Sequence, residues 1–371
     1  MDDPTVTDPT VDDPTVTDPT VDDPTVDDPT VDDPTVTDPT DALDLLRADL
    51  PAHLTVRLPR YVDGVVDPDD LDAAEALIAR CDVAAVGERD SGREEVAGMF
   101  SSASTDREHS AFVLDGDDLV GYLWIEQDPT AAETWVDVYA DPERCTRGIV
   151  TAGLSHGLRV GRATHAATAP DRAWTVRSGC FGTDTVLVEG LQAAGFECVR
   201  RFYRMRIDLA TASLPDVAPP LPDGAVLVNA RTDVERRRLY AVQQESFADH
   251  WNHTARSYEE YLERLDDNSS DDPDGWWLLE VDGVPAAVCL LDESRADLGD
   301  GYVRTLGVGR DFRGRGLAQL LLIRAFLHYR DRGRSGVQLG VDSTSPTGAD
   351  KLYRRVGMTV TREIDAWSHP L

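Results

Sequence analysis

Six residues, Arg313-Gly314-Arg315-Gly316-Leu317-Ala318, carry the densest chemical signal in this 371-residue chain. A β-like run from Tyr302 to Val308 precedes them, and a helix-like run from Leu317 to Leu327 follows, closed by Asp331-Arg332-Gly333. A strand, a glycine-rich turn and a helix start together present backbone N–H groups to phosphate oxygens. Glycine lets the backbone approach the anion with no Cβ in the way, and the helix start adds partial positive charge at the same point. Arg313 and Arg315 are candidates for charge-assisted contacts to phosphate, although Arg315 suits a solvated position equally well.

Downstream, Val337-Gln338-Leu339-Gly340-Val341-Asp342 reads as the next strand. It is followed by Ser345-Pro346-Thr347-Gly348-Ala349-Asp350-Lys351-Leu352-Tyr353-Arg354-Arg355-Val356-Gly357-Met358. Arg313, Gly316 and Ala318 form an Arg-x-x-Gly-x-Ala pattern that resembles the coenzyme A pyrophosphate loop of the GCN5-related N-acetyltransferases (GNAT). The downstream segment resembles that family's Asn-Pro-x-x-Ala-x-x-Leu-Tyr-x-x-x-Gly-Phe run, with Ser345 in place of Asn and Met358 in place of Phe.

The resemblance implies acetyl-CoA as cosubstrate, no metal, and direct transfer of the acetyl group to a primary amine in a ternary complex. It places the pyrophosphate on the amides from Arg313 to Ala318. It also places the thioester carbonyl on a backbone N–H around Leu306-Gly307-Val308. Gly307 in mid-strand fits a bulge or a close ligand approach. Tyr353 becomes the candidate general acid, since a phenol pKa near 10 is close enough to a thiol's roughly 8.5 for donation to the departing sulfur. Outside this motif, a packed tyrosine with a satisfied hydroxyl is the plainer reading.

A primary amine must lose a proton before it attacks, which calls for a carboxylate acting directly or through water. Asp292 and Glu293 at the end of one predicted strand, and Asp300 before the next, are the available groups. Glu293 is carried as the catalytic candidate, and each of the three also reads as a plain surface acid. For the acceptor, Asp249-His250-Trp251 follows a helix-like run (Arg236 to Glu245) and precedes another (Tyr258 to Leu265). Charge and an indole face there suit an ammonium, and a helix terminus beside a buried indole explains them as well. No third partner with metal-ligand spacing accompanies Asp249 and His250.

Composition narrows the function classes. The chain carries 69 acids against 36 bases, a net charge of −33, and Lys351 is its one lysine. Residues 2–41 are eight five-residue Asp/Thr-Asp-Pro-Thr units, each ending in Val except the last, which ends in Asp41. A proline in every unit forbids a regular helix, and one Val per unit cannot offset chain entropy. We therefore expect residues 1–41 to be a disordered acidic tail. The remainder is still strongly acidic, which argues against nucleic acid as a partner and suits a salt-adapted surface. No signal peptide and no membrane-length apolar run are visible. Five scattered cysteines suit neither a disulfide framework nor a zinc site. The expectation is a cytoplasmic monomer or homodimer acting on a small-molecule or peptide amine.

The rest of the chain is long enough for two domains. A proline-rich stretch, 211–224, separates 42–210 from 225–371. The parts look like copies. Asp115-Gly116 and Asp282-Gly283 each sit between two strand-like runs as hairpin turns, and Gly148 and Gly195 precede Gly316 and Gly357 by nearly the same offset. The expected fold is α/β (α+β with a mixed sheet): two tandem GNAT-like domains, each a mostly antiparallel sheet flanked by helices. In the first copy Cys145, Val150 and Leu191 replace the functional residues, so 42–210 reads as a degenerate copy and 225–371 as the catalytic one. A second coenzyme A in the first copy is the alternative there. For the whole protein the rival is a non-catalytic module that binds acyl-CoA or a partner, and it would have lost the phosphate loop in both copies.

Overall fold

The computed structural model describes residues 39–144, 146–266, 271–345 and 348–371. The acidic repeats lie outside the described residues except for their last three, which begin helix α1 (Pro39–Asp49). The described residues form one compact unit.

After α1, the first half runs β1 (Leu54–Arg57), a small ribbon of β2 (Tyr61–Val62) and β3 (Val65–Val66), α2 (Pro68–Val86), α3 (Arg93–Ser101), β4 (Ala111–Asp115), β5 (Asp118–Asp128) and β6 (Glu133–Ala140). It continues through α4 (Thr146–Thr168), β7 (Thr175–Phe181), α5 (Thr185–Ala193) and β8 (Glu197–Asp208). Leaving out α1 and the ribbon, the second half repeats this order: β9 (Ala225–Asn229), α6 (Asp233–Phe247), α7 (Tyr258–Asp266), β10 (Asp271–Val281), β11 (Val284–Asp292) and β12 (Asp300–Val308). It ends with α8 (Leu317–Asp331), β13 (Gly336–Asp342), α9 (Ala349–Arg355) and β14 (Thr359–Pro370).

Local chemistry explains the boundaries. Asp67 caps α2 through the Asp69 N–H, Pro68 opens it, and Gly87 closes it with φ +85°. Thr232 and Glu235 form a reciprocal capping box on α6. Two-residue turns at Gly116-Asp117 and Asp282-Gly283 join β4 to β5 and β10 to β11. In–out alternation along β6, and along β12 from Gly301 onward, marks strands with one face on a core.

All strands except the small ribbon join one sheet of twelve, in the order β1-β4-β5-β6-β7-β14-β8-β13-β12-β11-β10-β9. Each half gives its last strand to the other: β14 pairs with β7, β8 pairs with β13, and β8 and β14 pair with one another. Ion pairs reinforce the exchange. Arg206 of β8 grips Asp300 of β12 through both oxygens at 2.7 and 2.8 Å, and Arg201 does the same to Asp365 of β14 at 2.6 and 2.8 Å. The linker also belongs to the folded body, because Arg324 and Arg330 of α8 donate to the carbonyls of Pro219, Pro215 and Asp216.

No helix among the described residues is long and apolar enough to cross a membrane. The described cysteines form no disulfide.

One glycine shows how tightly α8 is set on the sheet. A Cβ on Gly301 would lie 2.2 Å from Cδ1 of the fully buried Tyr329. The Tyr329 hydroxyl accepts from the Asp292 N–H at 3.0 Å and lies within donating distance of the Asp292 and Tyr302 carbonyls. Gly301→Ala should therefore cost about 1–3 kcal/mol of stability through overpacking. Chemical denaturation measures this, and an unchanged midpoint would refute the packing account.

Candidate active site

The site forms where two parallel strands part. β12 and β13 pair over three rungs, from Asp300↔Gly336 to Tyr302↔Gln338, and no further. Beyond Tyr302 the two no longer pair with each other, and β12 runs to Val308 along β11 while β13 runs to Asp342 along β8. A bulge against β11 helps to open them: Leu290 faces Thr305 and Leu291 faces Val303, which leaves Arg304 as the extra residue. A cavity of about 610 Å³ fills the gap, lined on one side by Leu306, Gly307 and Val308 and on the other by Leu339, Gly340 and Val341.

The glycine loop closes one end of this cavity. Gly314 and Gly316 have φ of +76° and +77°, a region that L side chains enter only with strain. Gly314, Gly316, Leu317, Ala318 and Gln319 line the cavity. Among the described residues, the N–H groups from 314 to 319 donate to no acceptor, and the first to do so is Leu320, to the Gly316 carbonyl at 3.0 Å. An added Cβ at Gly314 or Gly316 would meet no protein atom within 4 Å. Unpaired amides at a helix start, beside open space, fit a pyrophosphate.

The arginines divide the work differently from the sequence expectation. Arg313 lines the cavity, but its guanidinium donates to the Val308 carbonyl at 3.2 Å and the Ser246 carbonyl at 3.3 Å, tying the loop to the ends of β12 and α6. Arg315 lies outside the lining, donates to the Asp311 carbonyl and stacks over Phe312. Arg355 lines the cavity, is exposed and forms no ion pair among the described residues. It was missed from sequence, although it sits two residues after Tyr353.

Tyr353 of α9 lines the same cavity and is 7 % exposed. Its hydroxyl makes no hydrogen bond among the described residues, and burial near Cys289 and Tyr302 raises its pKa well above the usual phenol value. It is therefore protonated, with a hydrogen to give.

Gly307 lines the cavity, and its missing side chain also makes room for a protein neighbour. A Cβ there would lie 2.3 Å from Ser246 Oγ, so the glycine lets the end of α6 close over β12. Of the predicted acceptor cluster, His250 and Trp251 line the cavity and Asp249 does not. Asp249 instead holds Arg310 through both oxygens at 2.8 Å. The Trp251 ring already meets the guanidinium groups of Arg177 at 4.8 Å and Arg200 at 5.5 Å, so its cation–π capacity is used within the protein.

Glu293 is not brought to the cavity either. Its carboxylate accepts from Arg334 at 2.7 Å and lies 3.7 Å from Arg332. Asp300 is buried against Arg206, Gln338 and Ser335. Asp292 is placed differently. It is 4 % exposed, burial raises its pKa, and it lines a second cavity of about 530 Å³. That cavity lies between the halves, with Glu95 of α3, Trp124 of β5 and Asp137 of β6 facing Arg204 of β8 and Tyr302 of β12. The bulged Arg304 lines both cavities. Among the described residues, no group of three His, Cys, Asp or Glu is placed to hold a metal ion.

Comparison with known proteins agrees with this geometry. Residues 236–358 match the model of the Acetyltransferase (GNAT) family. A mycothiol acetyltransferase of Salinispora tropica is 30% identical over 246 residues, spanning 64% of this chain and 74% of that protein. A mycothiol acetyltransferase of Thermomonospora curvata is 28% identical over 304 residues, 81% of this chain and 93% of the relative. The crystal structure of a GCN5-related N-acetyltransferase from Sphaerobacter thermophilus superposes with a TM-score of 0.71 at 26% identity, covering 86% of this chain and 96% of that one. With the family model matched over 236–358 and relatives matched over most of their length, the chain belongs to the GCN5-related N-acetyltransferase family and is an N-acetyltransferase.

Proposed function

We propose that the protein transfers the acetyl group of acetyl-CoA to the primary amine of a small molecule, in a ternary complex, using the second half alone for chemistry. In this reading 225–371 is the catalytic copy, 42–210 is the degenerate one, and 211–224 links them. The observation that carries it is the cavity between β12 and β13, with the unpaired amides of Gly314, Gly316, Leu317, Ala318 and Gln319 at one end and a protonated Tyr353 in its wall. The loop amides hold the pyrophosphate, and exposed Arg355 adds a charge-assisted contact to a phosphate. A β12 amide past the bulge accepts the growing negative charge on the thioester oxygen. The relatives' names, mycothiol acetyltransferase, support a small-molecule acceptor.

The acceptor enters from the cavity between the halves and meets the thioester at Arg304, where the two cavities share a wall. Asp292 replaces Glu293 as the group that takes the ammonium proton. Burial raises its pKa, which brings it closer to that of the amine it must deprotonate. As the neutral nitrogen attacks the carbonyl carbon, the C–N bond forms, the C–S bond breaks and Tyr353 gives its proton to sulfur; the proton the nitrogen sheds as it becomes an amide leaves to solvent, from which the phenolate regains its own.

A thiol-release assay with acetyl-CoA and a panel of small primary amines tests the reading. No thiol release with any amine, in low or high salt, would overturn it. For the base, Asp292→Asn should lower kcat/KM about 100-fold and remove the acid limb of the pH profile. Because the folded pKa of Asp292 is raised, that limb lies above the ordinary carboxylate range, and activity falls as pH drops through it. Glu293→Gln should leave both unchanged, and the opposite pattern would restore Glu293 as the base.

A further inference from the structure

The first half contains its own opened strand pair. β6 and β7 pair over three rungs, from Glu133↔Thr175 to Trp135↔Arg177, and then part, as β12 and β13 do after Tyr302↔Gln338. A cavity of about 370 Å³ occupies the gap, walled by Cys81 of α2, Val138 of β6, Cys180 of β7, Leu187 of α5 and Ile364 of the exchanged strand β14. Burial pushes both thiols up to about 12, so they stay as S–H and act as apolar wall.

Three features set this cavity apart from the one in the second half. The chain entering α4 reads Asp141-Pro142-Glu143-Arg144, with no glycine before Gly148. Asp141 accepts from the Glu143 N–H and from Arg80, and Arg144 is paired with Asp118, so this entrance carries carboxylates where the other carries free amides. Second, no Arg, Lys or His lines the first-half cavity among the described residues. Arg304, Arg313 and Arg355 all line the other. The first-half site is electrostatically hostile to a pyrophosphate.

The third feature is a reversal of charge at one equivalent position. Arg304 lies two residues beyond the last paired rung of β12, and Asp137 lies two residues beyond the last paired rung of β6. Asp137 Oδ1 accepts from the Trp135 indole N–H at 2.9 Å and from the Gly179 N–H at 3.3 Å. Its Oδ2 has no partner, and no cation is paired with it, among the described residues. Burial raises its pKa to about 6, so at neutral pH the group is still mostly ionised. Asp82 and Asp184 also line the cavity, but each already accepts from backbone N–H groups; Asp137, with one free oxygen and no counter-charge, is the carboxylate that a cation carrying its own hydrocarbon would stabilise.

We propose that the cavity between β6 and β7 is a second ligand site. It takes a small apolar ammonium, with the charged head on Asp137 and the hydrocarbon among Val138, Cys180 and Leu187, and it excludes coenzyme A. This does not depend on the second half being active, since it concerns a different cavity. The two sites divide by charge: the glycine loop receives an anion, and Asp137 a cation.

Calorimetry on the full chain tests this, with coenzyme A present to fill the second-half cavity and hexylammonium chloride as probe. One hexylammonium site per chain is expected. Asp137→Asn should weaken it by about tenfold or more, as should replacing the probe with neutral 1-hexanol. Asp137 also lines the cavity between the halves, so Val186→Phe, which fills only the first-half cavity, must weaken binding too. Retained coenzyme A binding shows that each variant is folded. Hexanol binding as tightly as the ammonium, an affinity untouched by Val186→Phe, or two coenzyme A molecules per chain would each overturn the proposal. The hexanol and stoichiometry measurements need no variant.

Discussion

Gly316→Glu is expected to abolish measurable acetyl-CoA binding while leaving the protein folded. The glycine sits at φ +77° and caps α8, so any L residue there costs about 1–2 kcal/mol in backbone strain. Nothing lies within 4 Å of the added Cβ, so the fold is not pushed apart. A carboxylate held against a pyrophosphate at a helix start adds repulsion of similar or greater size, for a combined loss of about 100-fold or more in affinity. Gly316→Ala separates the two contributions, because it keeps the strain and omits the charge; its loss should be about tenfold. Titration of acetyl-CoA into both variants, beside their circular dichroism, decides the matter. A Glu variant that binds normally would remove the loop from the site, and with it the mechanism built on that loop.

What could be read from residues alone was what spacing encodes. Loop, helix start and Tyr353 lie within about forty residues of one another, on elements whose order is set by alternation and turns, and the structure puts Gly316 and Tyr353 in one cavity. The hairpins at Asp-Gly likewise declared two halves with one element order. What stayed hidden depends on contacts distant in sequence. Glu293 looked available because Arg334, its partner, is 41 residues away. Trp251 looked like an open aromatic face because Arg177 and Arg200 belong to the other half. Gly307 carried a real signal for close approach, but a strand glycine does not say what approaches, and here it is Ser246.

The strand exchange could not have been read at all. β8 and β14 present similar alternating runs, and β7 and β13 present equivalent open edges, so pattern alone is indifferent to which copy each final strand joins. Side chains distinguish them: Arg206 finds Asp300 and Arg201 finds Asp365 only in the exchanged arrangement. The exchange also has a functional consequence. It sets Arg204 of β8 and α3 of the first half beside Asp292 and Tyr302, so the first half supplies part of the wall of the proposed acceptor cavity.

Tyr353→Phe should lower kcat about 100-fold with KM for acetyl-CoA little changed. The substitution keeps the ring that packs beneath the cavity and removes only the hydroxyl, which has no hydrogen bond among the described residues to lose. Stability should therefore hold or rise slightly, since no buried partner is left unpaired. A packing tyrosine predicts the opposite: full activity in the Phe variant. The pH profile adds a second readout. If the hydroxyl protonates the departing sulfur, kcat in the variant depends on solvent for that proton and falls further as pH rises, whereas in the parent the raised phenol pKa keeps the donor intact across the neutral range. A variant with unchanged kcat would leave the thiolate to depart unassisted and reduce Tyr353 to a wall of the cavity. A hundredfold loss with the steeper alkaline fall would fix it as the acid, because neither shape nor cofactor affinity changes to explain it.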